Sequence, residues 1–203
     1  GKVLRVEPRP HPGGKRFVLS VVIENDHRDA WHESCVPTQG EPDGPEIARI
    51  AREKGVVGMG GAMFPAHIKL NPPAGKKVDI LIANGAECEP GLSSDDSLMR
   101  ERAADVIGGM RLAMKALKAE RGLVGIEENK PEAIRAMTAA AEGTGIQVVP
   151  LHVRYPQGGE KQLIYALTGR KVPTGALPSD AGCALFNVGT LAALHNAVVR
   201  GRP

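Results

Sequence analysis

Aromatic residues are scarce: three phenylalanines, two tyrosines and one tryptophan in 203 residues. A core must therefore be built from Ala, Val, Ile, Leu and Met, and an apolar content of 42% is enough for one. Cysteine is scarcer in a useful sense. Cys35, Cys88 and Cys183 are far apart and odd in number, which fits a reducing compartment. No Cys-x-x-Cys occurs, so the chain does not supply four cysteines for an iron–sulfur cluster. There is no apolar run of about 18 residues to span a bilayer, and no basic-then-apolar leader. The net charge of +3 is too small to argue for nucleic acid. The length suits one sizeable domain, alone or with a small appendage. Gly1 already opens what reads as a strand, so a fragment of a longer protein is expected.

What is abundant is glycine, and it concentrates in Gly55–Leu70, GVVGMGGAMFPAHIKL. Gly58, Gly60 and Gly61 allow a tight turn and close approach to a ligand, because no Cβ intervenes. Phe64 and Pro65 stiffen the exit and offer a flat apolar surface, and Lys69 adds a mobile positive charge. This suits a cradle for a flat, phosphate-bearing molecule such as a flavin or nucleotide; an ordinary glycine-rich connection is the other reading. A Walker loop does not fit, since Leu70 follows Lys69. A Rossmann fingerprint does not fit either, since Glu46–Lys54 ahead of the glycines reads as a helix and Asn71-Pro-Pro73 stops any helix after them.

Residues 1–45 read differently from the rest. Lys2–Glu7 alternates as a half-buried strand does, with Pro8, Pro10 and Pro12 expected to break it. Phe17–Glu24 is a second strand, and His27–Gly44 is a polar loop or linker. His11, His27 and His32 match no ligand spacing and read as surface histidines. Two strands do not make a domain alone, so this reads as the edge of an all-β module.

From residue 45 the pattern is α/β. Asp43 or Gly44 caps a helix with Pro45 at its first position. Lys77–Ala83 is a continuous apolar strand, typical of a buried parallel sheet, running into Asn84-Gly-Ala-Glu-Cys-Glu-Pro90. Ser94 or Asp95 caps one long helix to about Ala119, with Met99, Ala103, Val106, Ile107, Met110, Met114 and Leu117 on its apolar face. Strands at Gly122–Glu127, Ile146–Val149 and Cys183–Asn187 alternate with helices opening at Pro131, Glu160 and Thr190. The fold class expected is α/β, a three-layer Rossmann-like domain with a mainly parallel sheet, preceded by a small β segment.

Ligands of open α/β sheets bind where strands end. The polar chemistry sits there too, in residues 84–90, 155–160 and 186–190 beside the glycine loop. Asn84 and Asn187 can bond heterocycle edges or phosphates. Glu87, Glu89 and Glu160 can accept from ribityl, ribose or ring groups, or can be solvated loop acids. Thr190 opens a helix, where a phosphate is favoured, or is a plain cap.

Five ordered segments, GVVGMGGAMFPAHIKL, ANGAECEPGLSSDDSLM, GIEENKPEAI, YPQGGEKQLIYALTGRKVP and FNVGT, resemble RnfC, a soluble component of the Rnf ion-translocating electron transport complex and a relative of the flavin-binding subunit of respiratory complex I. The resemblance covers nearly the whole chain. It implies that residues 46–203 hold FMN and meet NAD(H), and that residues 1–45 are the tail of a barrel-sandwich module. A β-grasp module and a domain with iron–sulfur clusters would lie in the missing C-terminal part. It sets Gly58, Gly60, Gly61 and Phe64 against the FMN, with Asn84, Glu87, Tyr155, Gly159 and Glu160 on the flavin side. Lys69 and Glu89 fall at dinucleotide contacts, and Asn187 and Thr190 at the phosphate end. No residue is implied as acid, base or metal ligand. The partners implied are other Rnf subunits and ferredoxin-type carriers, at the cytoplasmic face of the membrane and without nucleic acid. Met63, Ala66 and Phe186 depart from the family pattern. A cobalamin reductase of the same family, or a docking module without cofactor, are the alternatives.

Overall fold

The computed structural model describes residues 1–73 and 75–203. Its internal contacts divide the chain into Gly1–Ser34 and Cys35–Pro203.

The first unit is a hairpin. Strand β1 (Lys2–Pro10) pairs antiparallel with β2 (Phe17–Glu24). The register sets Pro8 opposite Leu19 and Pro10 opposite Phe17, so β1 runs through the prolines expected to end it. Both strands of a two-stranded ladder are edges, where a proline is tolerated. Nor is β1 half-buried: Val3, Leu4 and Val6 are exposed, as are Phe17, Leu19, Val21 and Ile23 on β2.

The second unit is built on a four-stranded sheet in the order β5-β4-β3-β6, with every pairing parallel. The strands are β3 (Ile80–Gly85), β4 (Arg121–Glu127), β5 (Ile146–Leu151) and β6 (Cys183–Asn187). Alternate residues feed opposite layers. Leu81, Ala83, Ala184 and Phe186 pack in the larger core with helices α1 (Gly44–Glu53), α3 (Ser94–Glu101), α4 (Ala103–Leu117), α5 (Pro131–Ala141) and α7 (Val188–Val199). Ile80, Ile82, Cys183 and Leu185 pack in the smaller one, with Leu163 and Ile164 of α6 (Glu160–Thr168). A four-residue turn of helix, α2 (Ala66–Lys69), completes the set. Three layers and a parallel sheet are thus the observed architecture.

The single long helix expected from residue 94 is two helices, broken at Arg102 (φ −134°, ψ 35°). The apolar spacing continues across the break, and neither proline nor glycine marks it. Tertiary contacts hold it instead. Arg102 bonds Asp105 at 2.8 Å, and Asp105 also takes Arg200 from the end of α7 at 2.8 Å. The carboxylate ties the start of α4 to α7 and is held below the usual carboxylate range, chiefly through Arg200.

Candidate functional site

β3 and β6 are neighbours in the sheet, and Asn84 and Asn187 are direct register partners at their C-terminal ends. Around them opens a cavity of about 630 Å³, inside the range of roughly 300–1,000 Å³ common for small-molecule sites. All its described lining residues belong to the second unit.

The glycine loop forms one wall. It is closed at its base by a bridge between Val57 and Pro65, with Gly58 N–H donating to the Phe64 carbonyl at 2.9 Å. Its tip is seated on the start of α7. Met59 N–H donates to the Thr190 hydroxyl at 2.9 Å. Gly60 lies against Asn187, and a Cβ there would stand 3.1 Å from the asparagine Cβ and 3.2 Å from its Nδ2. At Gly61 a Cβ would meet nothing within 4 Å, so this part of the wall is open.

Asn187 is the N-cap of α7. Its Oδ1 accepts from Gly189 N–H at 2.7 Å, and its Nδ2 donates to Asp95 Oδ2 at 2.6 Å. Asn84 Nδ2 donates to the Gly158 carbonyl at 2.9 Å, and its Oδ1 accepts from Ala86 N–H at 3.1 Å. Gly158 is pressed on the 84–90 loop, where a Cβ would meet the Ala86 carbonyl at 2.5 Å.

Lys69, at the end of α2, donates to the Leu185 carbonyl at 3.0 Å and lies 3.4 Å from Glu160 Oε1. Its Nζ stands 5.6 Å from the centroid of the Phe186 ring. β6 is an edge strand, so the lysine covers a carbonyl that no neighbouring strand takes. Phe186 thereby supplies a π-face to the ammonium.

Ten of the thirteen residues singled out in the sequence line the cavity: Gly58, Gly60, Gly61, Phe64, Lys69, Asn84, Gly159, Glu160, Asn187 and Thr190. Glu87, Glu89 and Tyr155 do not line it. Glu87 accepts from Asp95 N–H at 2.8 Å and Asp96 N–H at 3.0 Å. It therefore caps α3, in place of Ser94 or Asp95. The N-cap residue itself is Ser93, with no side-chain bond, and a carboxylate brought by the preceding loop satisfies the helix's free N–H groups and its positive end. Glu89 and Tyr155 are exposed.

Sequence reading missed two features. One is the apolar wall of Ile68, Pro72, Pro73, Val78, Leu177 and Pro178; these residues show no periodicity and converge from separate loops. The other is Asp95, seen only as a cap candidate. Burial pushes its carboxyl up, against the smaller opposing effect of the Asn187 bond. Burial likewise pushes up the Cys183 thiol in the cavity wall.

A cavity lined both by glycine and amide groups and by apolar side chains fits a molecule with a flat ring system and a phosphate tail. The residues present therefore fit FMN. Among the described residues, no group of His, Cys, Asp and Glu is arranged to hold a metal, and no helix is long and apolar enough to cross a membrane.

The family model described as "Nuo51 FMN-binding domain" matches residues 51–196. The chain is similar over its whole length, at 52% identity, to the C subunit of the proton-translocating ferredoxin:NAD(+) oxidoreductase complex of Clostridium ljungdahlii, and covers 45% of that protein. It is 48% identical to the C subunit of the Na(+)-translocating counterpart of Acetobacterium woodii, covering 46%. It is 46% identical to the C subunit of the ion-translocating oxidoreductase complex of Pseudomonas aeruginosa, covering 26%. The chain thus spans less than half the length of these relatives. Among solved structures it resembles an NAD+-reducing NiFe-hydrogenase in the H2-reduced state, with a TM-score of 0.67 and 25% identity over 76% of this chain and 30% of that one. The chain belongs to the Nuo51 FMN-binding domain family, in the RnfC group whose motifs it carries.

Proposed function

We propose that the cavity at the ends of β3 and β6 holds FMN and that NAD(H) meets it there, as part of a ferredoxin:NAD+ oxidoreductase subunit. The observation that carries this reading is the seating of the glycine loop on Asn187 and Thr190, which sets backbone, amide and hydroxyl groups beside the apolar side chains of the cavity. The chemistry that FMN supplies when bound is exchange of a hydride with nicotinamide on one side and of single electrons with other carriers on the other.

The chain's own residues bind and orient. Thr190 accepts from Met59 N–H, which leaves its hydroxyl hydrogen to donate to a phosphate oxygen at the start of α7. Asn84 and Asn187 each commit one amide hydrogen to protein and keep the other for ligand. Lys69 has three hydrogens and two protein acceptors, so it can offer its third to the dinucleotide. The apolar wall excludes water from the ring. No side chain is assigned a proton transfer. Glu87 supports the site through α3, and Glu89 and Tyr155 act from outside the cavity, on the dinucleotide or at its mouth.

Residues 1–45 are read as the tail of a barrel-sandwich module, and the iron–sulfur clusters and β-grasp module as belonging to the rest of the protein. Its partners would be the other subunits of the complex and a ferredoxin-type carrier, with peripheral attachment at the cytoplasmic face of the membrane. Titration of the purified chain with FMN, followed by quenching of flavin fluorescence, tests the reading. Saturable micromolar binding supports it, with Lys69→Ala then weakening NADH more than FMN. A folded chain that leaves flavin fluorescence unchanged overturns it.

A further inference from the structure

Asp95 stands apart from the lining of the cavity, yet it is bonded to a residue that forms it. It is half-buried on α3, its backbone N–H is taken by Glu87, and its carboxylate accepts from Asn187 Nδ2 at 2.6 Å. That bond settles the orientation of the Asn187 amide. Gly189 N–H is a donor, so the oxygen must face it; the NH2 group must then face Asp95. Without an acceptor at Asp95 the amide would lose one of its two anchors. Gly60 rests on that same amide, 3.2 Å from its nitrogen to a Cβ built at the glycine, and Met59 is bonded nearby on α7, at Thr190.

We propose that Asp95 is a positioning residue: it fixes the Asn187 amide, and through it the seat of the glycine loop, so that the FMN cradle is formed before ligand arrives. This rests on the FMN reading for its effect on affinity, but not for its effect on the loop. The role belongs to an acceptor oxygen rather than to negative charge. An asparagine at the position, with its carbonyl toward Asn187, preserves it, and an alanine does not. Neither change touches the cap of α3, because Glu87 bonds the backbone of residue 95. The charged groups facing Asp95 are few. Glu87 is beside it and raises its carboxyl further, and Lys130 stands 3.9 Å from Glu87.

The experiment compares wild type, Asp95→Ala and Asp95→Asn by two readouts. The first is hydrogen exchange at residues 58–61 in the ligand-free chain. The second is the FMN dissociation constant. Expected are faster exchange and about fivefold weaker FMN binding in Asp95→Ala, the size of one lost neutral hydrogen bond of about 1 kcal/mol. Asp95→Asn should restore both to within about twofold, and thermal unfolding should confirm that all three chains are folded. Unchanged exchange in Asp95→Ala would overturn the proposal. So would equal loss in both variants, which would assign the effect to charge. Absence of FMN binding by wild type would sink the cofactor reading, while the exchange result would still decide the role of Asp95.

Discussion

The two ends of the parallel sheet each hold a key aspartate, and their surroundings move the two acids in opposite directions. Asp79, just before β3, forms a two-pronged pair with Arg170, at 2.6 and 2.7 Å, and that guanidinium holds its carboxyl below the usual carboxylate range. Arg170 also bonds the Ala181 carbonyl at 3.0 Å, so one side chain ties the end of α6 to the starts of β3 and β6. Asp95, at the other end, has an amide for a partner and no cation, and burial raises it. A matched ion pair stabilises; a half-buried carboxylate bonded to a neutral donor costs stability, and the proposed role of Asp95 in shaping the cradle accounts for its place there. The difference separates an end held by an ion pair from the end that carries the proposed cradle, although the cavity wall itself runs along β6 to Cys183, and substitutions at Arg170 and at the cradle should dissociate stability from ligand binding.

The largest effect is expected at the cradle. Gly60→Val would push branched carbons into Asn187, where even a Cβ stands at 3.1 Å. Overpacking of this kind costs about 1–3 kcal/mol, and here the loop moves rather than the sheet. FMN binding should weaken about 10- to 100-fold by fluorescence titration, with thermal unfolding shifted little. An unfolded Gly60→Val chain would break the comparison, by making the loop part of the core.

Arg170→Ala is the reciprocal test. The pair is about one-third exposed, so a loss of roughly 1–2 kcal/mol of stability is expected, with FMN affinity unchanged. Since the folded carboxyl is depressed, the stabilisation is present above the ordinary aspartate value of 3.8 and is lost as pH falls through the lower, folded value. The gap in denaturant midpoint between wild type and Arg170→Ala should hold at neutral pH and close in acid below 3.8. A gap independent of pH would assign the loss to packing of the arginine stem.

Asp95→Asn should give the opposite sign. A carboxyl raised in the folded state favours its protonated form there, so the wild type loses stability as pH rises from 3.8 through the raised value. The variant lacks that loss. It should match wild type in acid and exceed it at pH 7, by a few degrees of Tm at most. A variant less stable at pH 7 would mean that the charge itself is used, and would align the two ends of the sheet.

How much of this was legible beforehand differs between fold and site. The apolar runs of β3 and β6 and the helices beside them follow from local pattern, because a strand buried on both faces needs no polar residue. The break at Arg102 does not, since its causes, Asp105 and Arg200, lie partly in a helix almost a hundred residues on. Asn84 and Asn187 stand at strand ends and Thr190 in the first turn of the helix that follows one, where position alone suggests a ligand. Asp95 reads as a helix-capping residue, and only the approach of α3 to β6 gives its carboxylate an amide to hold. Glu87 shows the converse: a residue marked for ligand is occupied by the N–H groups of α3. Local sequence shows which groups are available, and tertiary approach decides which of them are engaged inside the protein.

Met63 offers the finest test of the cradle. It adopts φ +54°, a left-handed conformation that costs a side-chain-bearing residue about 1–2 kcal/mol. It is also 67% exposed on the cavity wall. Met63→Gly removes that strain but adds freedom to the unfolded chain, worth roughly 0.5–1 kcal/mol in the other direction. The net change in stability should therefore be small, a gain below about 1 kcal/mol by chemical denaturation. The informative readout is FMN binding. If the methionine merely crowds a cradle built by the backbone of the glycine loop, affinity should be unchanged or rise up to about threefold. A loss of affinity would instead make the Met63 side chain a working part of the ligand wall, so that the departure from the family pattern would be a feature of the site and the boundary of the cradle would extend to the tip of the loop.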